Sequence, residues 1–120
     1  MTPEDKKLIT VLTRLYAKTK ADVVEWEPSE DANIFGVKFS DYTISIQHLL
    51  ATANYPELFT LRIANSEGVP IQEMDSITAK DNGFADMRDL FYRARRHAVD
   101  LDGALDDMLK ELDDLSGQKS

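Results

Sequence analysis

The sequence predicts a two-layer α+β sandwich. A three- to four-stranded antiparallel meander is covered on one face by an N-terminal helix and two C-terminal helices, in the order α-β-β-β-(β)-α-α. Three observations predict it. Apolar residues recur at helical spacing near both ends of the chain, and they alternate at strand spacing in its middle. Every connection between the strands is short enough for antiparallel neighbours. Strands that are apolar on one side only need a helical cover on that side and leave the other side to water.

The first helix has a readable start. Thr2 suits the capping position, Pro3 the first helical position, and Asp5 stands three residues after the cap. Leu8, Val11, Leu12, Leu15 and Tyr16 then form one apolar stripe, with Lys6, Lys7, Arg14 and Lys18 mostly on the wet side. The helix fades near residues 20–22. Residues 22–31 form a loop or a short extended piece, because Pro28 stops a helix there.

The strands follow. In residues 34–39, Phe35, Val37 and Phe39 share a face. In residues 42–48, Tyr42, Ile44 and Ile46 share one face and Thr43, Ser45 and Gln47 the other. Ser40 and Asp41 make a two-residue turn, which sets its flanking residues opposite one another and pointing the same way. Those residues are Phe39 and Tyr42, both members of the apolar sets, so turn and alternation fix the same register. Residues 58–64 alternate Phe59, Leu61 and Ile63 against Leu58, Thr60 and Arg62. Residues 65–68 are a hairpin loop in which Gly68 supplies a left-handed position. A short fourth strand over 69–74 belongs on an edge, because Pro70 has no N–H for a ladder. Residues 50–57 are a loop, and 75–83 a linker ending in a turn at Asn82-Gly83.

Helical spacing resumes with Met87, Leu90, Phe91, Ala94 and Ala98. It returns with Leu101, Leu105, Met108, Leu109 and Leu112, which fit a core stripe. Residues 100–103 mark a break between helices over 86–99 and 102–115, with Asp102 as the cap of the second. Residues 1–115 form a single α+β domain and 116–120 a flexible tail.

Composition narrows the chemistry. With 42% hydrophobic and 30% charged residues over 120 positions, the chain suits a globular protein. It has no cysteine, which excludes disulfides, thiolate metal sites and cysteine nucleophiles and leans toward the cytoplasm. No basic-then-apolar leader follows Met1, and no apolar run approaches the roughly 18 residues of a membrane span. The expected setting is cytoplasmic, with no membrane contact. The net charge of −8 disfavours nucleic acid as a partner. Residues 100–114 hold seven acids against Lys110, whereas 86–99 hold four arginines against Asp86 and Asp89.

Reactive constellations are weak. His48 sits at a strand end, where a half-buried, hydrogen-bonded ring is expected, and His97 lies on a helix surface beside Arg93 and Arg96. Neither has an obvious Ser or Asp partner nearby in sequence, and nothing signals a triad. Asp100, Asp102 and Glu111 fall at the first, third and twelfth positions of a calcium loop, but Ala104 and Leu105 occupy the fifth and sixth, so no metal is expected. No glycine-rich phosphate cradle is present, and no cofactor is expected. Arg88, Arg93, Arg95 and Arg96 suit an anion. Asp89 with Arg93 and Arg96 with Asp100 are, however, i,i+4 pairs that favour intrahelical bridges.

Three surfaces suit binding. The open sheet face offers Lys38, Thr43, Ser45, Gln47, Thr60 and Arg62. Trp26, the one tryptophan, is either an exposed anchor or, as preferred, folded over the edge of the core. The last helix carries an acidic row of Asp106, Asp107, Glu111, Asp113 and Asp114.

The run LFYRARRHAVDLDGALDDMLKEL at 90–112, with LRIANSEGVPI at 61–71, resembles the C-terminal part of small uncharacterised bacterial proteins. That resemblance implies a bacterial or phage-borne α+β protein and brings no activity with it. The expected function is therefore a non-enzymatic interaction or regulatory protein that binds another macromolecule, a protein with basic surface. Its sharper form is an acidic inhibitor of the immunity, antitoxin or anti-defence kind, whose acidic row displaces nucleic acid from a basic target. The alternative is a nucleic-acid-binding module using Lys38, Arg62 and the helix arginines. Double-stranded-RNA-binding domains share the αβββα order, but they place lysines at the start of the last helix, and residues 82–88 hold none. A small hydrolase-like enzyme using a lone histidine ranks third.

Overall fold

The computed structural model describes residues 2–117. Its elements are α1 (Pro3–Lys20), β1 (Glu27–Pro28), β2 (Ile34–Lys38), β3 (Tyr42–Leu49), β4 (Leu58–Asn65), β5 (Pro70–Asp75), α2 (Ser76–Asp81), α3 (Met87–Val99) and α4 (Leu101–Gly117). The chain is α+β, as its periodicities predict. The sheet has five strands, in the order β1-β2-β3-β4-β5, and every pair is antiparallel. The added strand is β1, the short extended piece around Pro28, which sets Glu27 opposite Gly36. Pro70 opens β5 on the edge, where its missing N–H costs no ladder bond.

Local signals place these elements. The Thr2 hydroxyl accepts from the Asp5 N–H at 3.1 Å and caps α1. The Phe39 N–H donates to the Tyr42 carbonyl at 2.8 Å and closes the β2–β3 hairpin with Val37 opposite Ile44. Gly68 takes φ 81 at the tip of the β4–β5 loop. The expected linker at 75–83 instead contains α2, because the Asp75 carboxylate accepts from the Thr78 N–H at 2.7 Å. A six-residue helix is too short to show a repeat in sequence.

One face of the sheet builds the core. Phe35, Val37, Ile44, Ile46, Phe59, Leu61 and Met74 meet Leu8, Leu12 and Leu15 of α1 and Met87, Leu90, Phe91 and Ala94 of α3. Tyr16 fastens α1 to α3, donating to Asp89 at 2.6 Å and standing edge-on to Phe84 at 5.7 Å. His48 closes the same face, stacked on Phe59 at 4.5 Å and tilted against Phe91 at 5.2 Å. Phe39 and Tyr42 point to this side but are 51% and 49% exposed, past the helical cover.

The last helix departs from expectation. Asp100 is left-handed at φ 48 and ends α3. Its carboxylate accepts from the Gly103 N–H at 3.3 Å and its carbonyl from the Ala104 N–H at 3.0 Å. Asp100 therefore caps α4 in the role expected of Asp102, whose side chain lies outside the described residues. The expected Arg96–Asp100 bridge does not form, because that carboxylate is turned to the turn. α4 runs to Gly117, into the segment expected to be a flexible tail; residues 118–120 lie outside the described residues. Its stripe is not core: Leu105, Met108, Leu109, Leu112 and Leu115 are 48%, 56%, 59%, 59% and 57% exposed.

Phe91→Ala is expected to lower stability by about 3–5 kcal/mol, and Leu109→Ala by less than about 0.5 kcal/mol, in urea melts at sub-micromolar protein. Equal losses at the two positions would contradict the placement of the α4 stripe outside the core.

Candidate functional site

The strand register brings the six polar residues expected on the open face together. Lys38 stands opposite Thr43, Ser45 opposite Arg62, and Gln47 opposite Thr60. Thr43, Ser45, Gln47 and Thr60 are half-buried among their neighbours, while Lys38 and Arg62 reach solvent. Arg62 is not free, since its Nε donates to Glu73 at 2.5 Å. Glu27, Glu73 and Asp75 fall in the same cross-strand rows, so the face is of mixed charge.

Trp26 is 3% exposed, and its indole N–H donates to the Thr19 hydroxyl at 3.1 Å. It is a core residue folded under the end of α1, as preferred, and it has little surface to offer as an anchor. One edge borders a cleft of about 810 Å³ formed by the ends of α1 and α3 and the first turn of α4. Lys20, Arg93, Arg96 and His97 line this crook together with Asp22, Glu25, Asp100 and Leu105. A smaller cleft of about 400 Å³ lies beside α2.

The crook is held by His97. Its Nδ1 lies 3.3 Å from Asp22 and its Nε2 3.1 Å from Glu25. Two carboxylates accepting from one ring require both N–H groups, which is the imidazolium form. Accordingly the His97 pKa is raised, chiefly by Glu25, with burial opposing and Asp22 adding. A ring so engaged has no lone pair for general-base work; it joins the α1–β1 loop to the end of α3. Its partners are 75 and 72 positions away in sequence, which is why no local pattern announces them.

His48 is engaged through one ring nitrogen. It is 8% exposed, and its Nε2 donates to Glu57 at 3.0 Å. Of the arginines, Arg93 donates to Asp89 at 2.6 Å, as its i,i+4 spacing predicts. The bonds from Tyr16 and then from Arg93 hold the Asp89 carboxyl below its ordinary range, and the bond to Asp89 pushes the Tyr16 phenol up. Arg88 lies over the Tyr92 ring at 5.8 Å. Among the described residues, no three His, Asp or Glu side chains are grouped to hold a metal ion. Among them too, no helix is long and apolar enough to cross a membrane.

The fullest set of exposed functional groups is on α4. Asp106, Asp107, Glu111, Asp113 and Asp114 all reach solvent, and the one base there is Lys110. At 100° per residue Asp106 and Asp113 border the apolar stripe on one side and Glu111 on the other, while Asp107 and Asp114 fall on the far face. The helix can make an apolar contact along one line and electrostatic contacts along two.

The His97 clip predicts a pH dependence. A pKa raised in the folded state gives stability that is fully present below the unfolded value of about 6.5 and is lost as pH rises through the folded value. Asp22 and Glu25 are 85% and 86% exposed, so solvent screening keeps the effect to about 0.5 kcal/mol. Urea melts at pH 6 and pH 9 are expected to show that loss in the wild type and not in His97→Gln. An equal loss in both would remove the clip.

Compared with family models, curated proteins and solved structures, the chain matches none.

Proposed function

We propose that the chain is a non-enzymatic interaction protein that binds a basic protein surface through α4. The observation behind this is the exposure of Asp106, Asp107, Glu111, Asp113 and Asp114 on one helix that stands off the core. Like charges so gathered steer toward a positive surface and repel other polyanions. A rod with acids along two flanks also suits the sharper form of the reading, an inhibitor that displaces nucleic acid from a basic target. A cytoplasmic setting and a bacterial or phage origin belong to the same proposal, supported by the lack of cysteine and by the resemblance of residues 90–112.

The competing readings draw less support. Direct nucleic-acid binding would rest on Lys38, Arg62 and the helix arginines, but Glu73 engages Arg62, Asp89 engages Arg93, and further carboxylates share the sheet face. Histidine chemistry would need a free ring nitrogen beside a nucleophile, and the ring nitrogens of His97 are both taken by carboxylates.

The test is a pull-down from the native host. The wild-type chain is expected to retain a stoichiometric basic protein that high salt releases. A chain carrying Asp106→Asn, Asp107→Asn, Asp113→Asn and Asp114→Asn together is expected to lose it. Recovery of no stoichiometric partner, or equal recovery by the variant, would contradict the reading. A low-salt gel shift with the wild-type chain is expected to show no complex with RNA or DNA, and a shift at micromolar protein would move the assignment to the open sheet face.

A further inference from the structure

We propose that the apolar stripe of α4 is covered by the α4 of a second copy of this chain, lying antiparallel. The inference rests on reading α4 as the binding element and adds a partner for the side of it that the acids leave free. Leu105, Met108, Leu112 and Leu115 alternate in steps of three and four, the spacing of a helix–helix seam, and Leu109 widens it. In that repeat Asp106, Asp107, Asp113 and Asp114 fall at outer positions, and Lys110 falls opposite the seam. Two stripes can therefore meet without burying those charges.

Area and stability both call for a cover. Five half-exposed Leu and Met side chains leave on the order of 500 Å² on one helix, so two copies cover about 1,000 Å², the threshold of a specific interface. Standing by itself, α4 is poorly supported. It spans 17 residues, has no base in its last turn, and carries Asp113 and Asp114 near the end where the helix dipole is negative.

Charge fixes the direction. A parallel pair would set the acidic ends side by side. An antiparallel pair with Met108 opposite Leu112 sets Leu115 of one copy against Leu105 of the other. Leu105 also lines the crook, whose charges are mixed: Lys20, Arg93 and Arg96 stand there beside Asp22, Glu25 and Asp100, with Arg93 bridged to Asp89 and His97 to Asp22 and Glu25. The end of each helix that carries Asp113 and Asp114 is thereby brought to the mouth of the other's crook. Arg96 and Lys20 make no ion pair among the described residues and are the cations available to meet them; Lys20 lies over the Tyr16 ring, which leaves Arg96 as the one to test. Asp106 and Asp107 of both copies stay at outer positions, open to the basic surface that the proposed function requires.

Sedimentation of the full chain at physiological salt, from low micromolar to about 200 µM, is expected to show a dimer. Leu112→Asp is expected to weaken association by at least roughly tenfold, with its circular-dichroism melt unchanged at low concentration. Arg96→Glu weakens it too, and adding Asp113→Arg and Asp114→Arg to Arg96→Glu restores it. The native chain has no cysteine, so engineered thiols report the direction directly. Leu105→Cys mixed with Leu115→Cys is expected to form a mixed disulfide dimer on oxidation. A wild-type monomer at the highest concentration, or Leu105→Cys cross-linking mainly to itself, would overturn the proposal. A monomer that still binds a basic protein through the acids overturns the pairing alone. A dimer that recovers no basic protein overturns the proposed function alone.

Discussion

The left-handed turn at Asp100 decides what α4 can do. An L-residue pays roughly 1–2 kcal/mol for that conformation, and aspartate tolerates it better than most because its carboxylate can bond locally. Here the carboxylate accepts from the Gly103 N–H, and Gly103 leaves the space that a side chain would take, since a Cβ there would crowd the Asp100 carboxyl. One residue thus ends α3, starts α4 and changes the direction of the chain. The stripe that follows is carried away from the sheet.

The core does not need that stripe. α1 and α3 already supply Leu8, Leu12, Leu15, Met87, Leu90, Phe91 and Ala94 to the apolar face of the sheet. Tyr16, Asp89 and Arg93 tie the two helices together, and His97 ties the loop after α1 to the end of α3. These contacts make a firm base at the point where α4 departs. A helix held at its root and free along its length is suited to contact, and its acidic flanks select the sign of what it meets.

Much of this was legible in the sequence. The cap at Thr2, the Ser40-Asp41 hairpin, the edge placement of Pro70 and the shared face of Lys38, Thr43, Ser45, Gln47, Thr60 and Arg62 all follow from local rules, and the structure keeps them. What was hidden depends on distance or on direction. The carboxylate partners of His97 come from a remote loop, and the Glu73 that engages Arg62 lies across a strand pair. The α4 stripe misled for a different reason. Ala98, Leu101 and Leu105 continue the spacing of Phe91 and Ala94 without a change of phase, so periodicity alone runs the core stripe straight through Asp100. Only the backbone angle shows that the helix turns away.

The most direct measurement is methyl nuclear Overhauser spectroscopy on selectively labelled leucines. With the stripe outside the core, the methyls of Leu109 and Leu112 show no contacts to the rings of Phe35 and Phe91 or to the methyls of Leu12. Cross-peaks joining them to those groups would mean that α4 folds back over the sheet, and the binding role assigned to it would be withdrawn.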